Sequence, residues 1–301
     1  MNWLFKVNNT AFNVLNGRLT LGELMAVITI GGIIISSTAS LSVVNIRLQE
    51  AGVAFDRFYE FWKIKPEFEV QGEKVKGERY EGDNYLQIKD LSFRFIGRKK
   101  LFEHLSLEVR QGEIVTLLGE VGSGKSTLIQ ILQKHYSPDS GEIIFNKKSI
   151  TEYAIPEWRD YIGVVSQHTK IFNGNVFENI CLGNYAAEAE SIIRFCKEYG
   201  FDTYFDALPQ GLNTLLGEDG VNISAGQQQL IALARALYRH PVLLLLDEPT
   251  SAMDIQTELF VINLLKERAN QFAVLMVTHR TYLADLSTRV YRLENGTIAL
   301  L

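Results

Sequence analysis

NISAGQQQLIALARALYRHPVLLLLDEPTSAMD, residues 222–254, decides the fold. Ser224-Ala225-Gly226 opens a helix, with Ser224 a good N-cap, and a helix N-terminus binds anions well. Residues 242–246 are wholly apolar, as expected of a strand buried on both faces of a parallel sheet. That strand delivers Asp247-Glu248 to its C-terminal end, where open α/β sheets place their ligands. Of two adjacent carboxylates there, Asp247 can hold a divalent metal through water, and Glu248 can orient and polarise an attacking water as general base.

Upstream, residues 114–118 read as a short apolar strand that runs into Gly119, Glu120, Val121, Gly122, Ser123, Gly124, Lys125, Ser126 and Thr127. A helical pattern follows to about His135. This is a complete G-x-x-x-x-G-K-S/T loop in its strand–loop–helix context. Its glycines let backbone N–H groups face phosphates, and the helix dipole adds to their pull. Lys125 is placed to bridge the β- and γ-phosphates, and Ser126 to ligate magnesium. From residue 86 onward, short strands alternate with helices, so the larger part of the chain is α/β.

The N-terminal part is different. Residues 24–46, LMAVITIGGIIISSTASLSVVNI, carry no charge; as a helix they are about 34 Å long and match a hydrocarbon core of roughly 30 Å. Their small residues, among them Gly31, Gly32, Ser36 and Ser40, suit close packing of membrane helices. Residues 47–64 continue as an amphipathic helix. Lys and Arg are denser after the span than before it, which favours a cytoplasmic C-terminal side. Residues 67–85 read as a Gly-rich, charged linker. The expected organisation is a partial transmembrane domain (1–66), this linker, and an α/β domain (86–301).

The 301-residue chain has a formal net charge of −5 and no basic patch, which argues against nucleic acid as a partner. Cys181 and Cys196 fit no metal or redox spacing.

Several further residues fall in a fixed order around the two phosphate motifs. Gln167 follows the strand at 162–165, Ser251-Ala252-Met253-Asp254 follows the carboxylates, and His279 ends the strand at 274–278. With Ile223-Ser224-Ala225-Gly226-Gln227, this order resembles the ATP-binding domain of ABC transporters over roughly residues 85–301. The resemblance implies a P-loop ABC ATPase with a helical subdomain, and ATP and Mg2+ as ligands. It implies that Gln167 completes the magnesium site and links it to the membrane domain. Ser224, Gly226 and Gln227 belong to the signature that clasps the γ-phosphate of a partner's ATP. Asp254 crosses the dimer interface, His279 contacts the γ-phosphate, and Phe95 stacks on adenine. The expected catalytic set is therefore Glu248, His279, Lys125 and Gln167, with Ser126, Gln167 and Asp247 as the metal set. Ala225 stands where the family usually has glycine, and Phe95 where tyrosine is commoner.

The N-terminal part resembles the last transmembrane helix of ABC exporters and its cytoplasmic extension. Gly217-Glu218-Asp219-Gly220 resembles the exporter loop that touches the coupling helices. Some details resemble bacterial peptide or bacteriocin exporters. The implied partners are a second ABC ATPase domain, in a homo- or heterodimer, membrane lipid, and further membrane helices. Exporters of this type need about six such helices per half. This chain has one, with at most a fragment of another at residues 3–15, so it is expected to be the C-terminal piece of a longer half-transporter. The expected location is the inner membrane with the ATPase domain in the cytoplasm. A non-transport ABC ATPase acting as a mechanical switch, and a binding-only subunit, stay open as alternatives.

Overall fold

The computed structural model describes residues 20–63, 85–183, 185–218 and 220–301. The chain divides into two compact units, Met1–Glu73 and Lys74–Leu301. The fragment at residues 3–15, nearly all of the expected linker, and Asp219 lie outside the described residues.

In the first unit, helix α1 spans Leu21–Lys63, 43 residues without a break. Thr20 and Glu23 start it reciprocally: Glu23 N donates to Thr20 Oγ1 at 3.3 Å, and Thr20 N donates to Glu23 Oε2 at 2.8 Å. The expected span and its extension are thus one continuous rod, about 65 Å long at 1.5 Å per residue. Among its residues only Gly31 is buried. Thr29, Ser36, Thr38, Ser40 and Ser42 each donate their hydroxyl to a carbonyl three or four residues back. These hydroxyls are therefore satisfied within the helix, as a hydrocarbon environment requires. It is long and apolar enough to cross a membrane.

The second unit is built on a six-stranded sheet, with strands numbered in chain order. Its order is β12(Thr297–Leu300)–β11(Arg289–Glu294)–β3(Ile114–Gly119)–β10(Ala273–Thr278)–β9(Leu243–Asp247)–β6(Ile162–Val165). All neighbours are parallel except β11 and β12. Every residue of β9 and β10 is buried, which explains why both are apolar up to their last residues, Asp247 and Thr278. Leu118 pairs with Thr278, and Asp247 with Val277, so β3, β9 and β10 end level. That register sets the phosphate loop, the two carboxylates and His279 along one edge.

A second, antiparallel sheet has the order β2(Lys100–Val109)–β1(Leu86–Arg94)–β4(Ser140–Phe145)–β5(Lys148–Ser149). Its core holds Phe102, Phe145 and Trp158, all with no exposed surface. Helix α2 (Lys125–Leu132) leaves the phosphate loop and ends three residues before the expected His135. Lys134 there takes a left-handed φ of 62°, and the Trp158 indole N–H donates to the freed Leu132 carbonyl at 2.6 Å. Helix α3 (Ile155–Tyr161) carries Trp158. Helices α4 (Val176–Cys181), α5 (Tyr185–Tyr199), α6 (Asp202–Phe205) and α7 (Ala225–Tyr238) share a second apolar core that includes Phe195, Phe201 and Leu230 and continues into Leu244, Leu246 and Met276 of the six-stranded sheet. This is the expected helical subdomain. Helix α8 (Ile255–Glu267) covers the sheet after β9.

Candidate nucleotide site

The phosphate loop turns sharply out of β3. Gly124 caps α2 at φ 102°, a left-handed conformation suited to glycine, and a Cβ there would press on the Phe102 ring. Lys125 is only 7% exposed, and its Nζ donates to the carbonyls of Gly119 and Glu120, both at 2.8 Å. Burial pushes its pKa down, while Glu248 and Asp247 push it back up. The Ser123 hydroxyl is buried with no hydrogen-bond partner. A loop with an orphaned hydroxyl, an ammonium folded onto its own carbonyls and a free helix N-terminus fits a polyphosphate, which supplies acceptors for all three.

Asp247 ends β9 and is 6% exposed. Burial holds its carboxyl above the usual carboxylate range, against the lowering effects of the Ser126 hydroxyl and of Lys125 and His168. Ser126 and Asp247 therefore meet, as a hydroxyl–carboxylate pair suited to a hard divalent cation. Gln167 is exposed in the bend after β6 and makes no hydrogen bond to either of them. Its neighbour His168 acts electrostatically on Asp247, so this bend lies beside the carboxylate.

Glu248 takes φ 50°, unusual for a residue with a side chain. Its Oε1 accepts from the His279 amide at 2.9 Å and lies 2.7 Å from His279 Nδ1; its Oε2 accepts from the Thr278 hydroxyl at 3.1 Å. An ionised carboxylate only accepts, so Nδ1 carries the proton and Nε2 points away from this pair. These contacts occupy three of about four acceptor positions on the carboxylate and leave one open.

Ser224 caps α7 as expected. Its Oγ accepts from Gln227 N at 3.2 Å, and Gln227 Oε1 accepts from Ser224 N at 2.9 Å. Ser224 and Ala225 are exposed, and Ser224's hydrogen bonds stay within the helix's first turns. Gly226 is buried and required by close packing: a Cβ would come within 2.8 Å of the Ala252 carbonyl. At the other end of α7, Arg235 is anchored by the Asn179 and Lys170 carbonyls, so the helix also braces the segment after Gln167.

Asp254 caps α8 through Thr257, whose amide and hydroxyl both donate to it at 2.9 Å. Those hydrogen bonds hold its pKa below the ordinary value. Its carboxylate is thus occupied within the chain, although the residue is exposed. Phe95 is partly buried, edge-on to Phe93 at 5.1 Å and to Tyr136 at 5.4 Å. Glu218 N donates to Asn173 Oδ1 at 3.1 Å, which staples the turn after β8 (Leu215–Leu216) to the start of β7 (Gly174–Asn175).

Sequence reasoning missed four contributors. Gln229 bridges α7 to the turn after Glu248. Arg280 donates to Glu258 Oε1 at 2.8 Å and to the Ser251 carbonyl at 3.1 Å, and Glu258 also accepts from Thr250. Tyr136 adds a half-exposed ring beside Phe95. For Gln229 a signal existed: it shares a helical face with Gly226, Leu230 and Leu233, and so faces inward.

Residues 102–251 match the protein family described as ABC transporter. The chain is 32% identical over 286 residues to the "ATP-dependent lipid A-core flippase" of Aromatoleum aromaticum, covering 94% of this chain and 47% of that protein. It is also 32% identical over 287 residues to the "Leukotoxin translocation ATP-binding protein LktB" of Mannheimia haemolytica, covering 95% of this chain and 40% of that protein. A solved structure, "Structure of a bacterial Atm1-family ABC exporter with ATP bound", superposes with a TM-score of 0.73 at 26% identity, covering 94% of this chain and 49% of its own. The chain spans less than half the length of these curated relatives. Through its ATP-binding domain, the chain belongs to the ABC transporter family.

Proposed function

We propose that this chain is the ATP-binding and hydrolysing part of an ABC exporter. The observation that carries this is the level ending of β3, β9 and β10, which sets Lys125, Ser126, Asp247, Glu248 and His279 along one sheet edge. ATP lies along the phosphate loop with its base against Phe95. Ser126, Asp247 and Gln167 would hold magnesium, which would supply charge neutralisation at the phosphate oxygens. Lys125 exchanges its loop carbonyls for phosphate oxygens. Glu248, oriented by His279 and Thr278, receives the proton of the attacking water.

Ser224, Gly226 and Gln227 serve the nucleotide of a second ABC ATPase domain, which returns the same contact in a head-to-tail dimer. The exposure of Ser224 supports this, since none of its hydrogen bonds leaves its own helix. Closure of the dimer is relayed to membrane helices near Gln167 and Glu218. The apolar surface of α1 favours a membrane-embedded exporter over a free-standing switch, with the ATPase domain on the cytoplasmic side of the inner membrane. The relatives are named for a lipid A-core flippase and for leukotoxin translocation, so the cargo class differs between them.

The test is steady-state hydrolysis by the detergent-solubilised chain. Glu248→Gln is expected to lower turnover by about 100-fold or more while MgATP still binds. Unchanged turnover in that variant would contradict the general-base role.

A further inference from the structure

Gln229 is 3% exposed, five residues past Ser224 on α7. Its Nε2 donates to the Glu248 carbonyl at 3.2 Å and to Ser251 Oγ at 3.0 Å. Its Oε1 accepts from Ala252 N at 3.1 Å. Both amide donors and one acceptor position are thus spent on a single turn, 248–252. A buried amide is costly unless bonded, so these partners fix where the turn sits against the helix.

The turn needs holding. Glu248 has φ 50°, and a side-chain-bearing residue in the left-handed region is strained. Such a conformation persists where its surroundings over-determine it. Gly226 brings α7 against the Ala252 carbonyl with no room for a Cβ, and Gln229 then fastens the two one helical turn further on. Arg280 grips the Ser251 carbonyl independently of α7.

We propose that Gln229 is a positioning residue that ties the start of α7 to the backbone of Glu248. Contact at Ser224 with a nucleotide from outside the chain is thereby felt at this chain's own general base. Gln227, Gln228 and Gln229 divide the work: Gln227 caps the helix, Gln228 bonds only weakly to the Ile223 carbonyl at 3.4 Å, and Gln229 forms the link. The inference rests on the proposed ATPase function, but its structural half can be read without activity.

The experiment compares the full chain in detergent with Gln229→Met, Gln229→Glu and, as control, Gln228→Met. Amide hydrogen exchange and steady-state ATP hydrolysis are measured on each. In Gln229→Met, exchange is expected to rise across residues 248–254 and not in the phosphate loop. Its kcat is expected to fall roughly tenfold, the size set by leaving buried groups unpaired, with KM for ATP within about twofold. Gln229→Glu keeps the acceptor facing Ala252 N but loses both donors to the turn, so its exchange at 248–254 is expected to rise as well, and it carries the test if Gln229→Met does not fold. Gln228→Met matches the unsubstituted chain. Unchanged exchange at 248–254 in both Gln229 variants overturns the inference whatever the activity. So does a loss that appears only in KM. An unsubstituted chain that hydrolyses no ATP contradicts the proposed function, while the exchange data still decide whether Gln229 holds the turn.

Discussion

The C-terminal edge of the parallel sheet and the start of α7 use their polar groups in opposite ways. At the sheet edge, Lys125, Asp247 and Glu248 are buried, and each is bonded within the chain. At the start of α7, Ser224 and Ala225 are exposed, and the serine's bonds serve only its own helix. The first is a site assembled by one chain. The second is a surface that makes sense with a ligand brought by another chain. Gln229 connects them, so the difference lies in exposure rather than in distance along the fold.

The sharpest way to break this contrast is at Lys125. Lys125→Ala removes the buried ammonium and is expected to weaken ATP binding by roughly 30-fold, the range of a charge-assisted contact. Equilibrium binding of labelled ATP checks it, and unaltered affinity would remove Lys125 from the site.

A smaller effect is expected at Asp247, with opposite signs for stability and binding. Burial raises its pKa, so the folded state holds this proton more tightly than the unfolded state does. The ionised carboxylate therefore costs stability, and this cost grows as pH rises through the ordinary carboxylate range to the raised value, then stays constant. Asp247→Asn is expected to raise the nucleotide-free thermal midpoint by roughly 2 °C at neutral pH. The same variant is expected to lose the magnesium dependence of nucleotide binding. A thermal shift assay with and without MgATP reads both; a lower midpoint without nucleotide contradicts the burial argument.

The smallest effect is expected at Ala225. It occupies the first helical position, exposed, where alanine favours the helix. Ala225→Gly is expected to change kcat by less than about fivefold, the ratio that matches the roughly 1 kcal/mol cost of glycine in a helix. A large gain in kcat would show that the methyl group obstructs the closed site.

Much of this was legible because the chemistry is contiguous. The phosphate loop, Asp247-Glu248 and the cap at Ser224 each lie within a few residues, so spacing alone exposes them. The α/β class followed from short strands alternating with helices, and α1 from an uncharged stretch. What stayed hidden depends on register and on contacts far apart in sequence. Arg280 meets Glu258 across 22 residues, and Tyr136 reaches Phe95 from the far end of α2. Three consecutive glutamines look alike until the helix turns one of them inward. Asp254 was legible as a residue of interest, but its capping bonds to Thr257 became visible only once α8 was placed.

The central claim is that Lys125 and Ser224 of one chain act on different nucleotides. Pairing variants across a dimer tests it most directly. Ser224→Asp keeps a capping oxygen on α7 but sets a negative charge against phosphate. One mixed dimer carries Lys125→Ala on one chain and Ser224→Asp on the other; a second carries both changes on one chain beside an unsubstituted partner. The account predicts that the first retains one intact site and hydrolyses ATP, while the second is inactive. Activity in the second and none in the first would place Ser224 at its own chain's nucleotide and contradict the account.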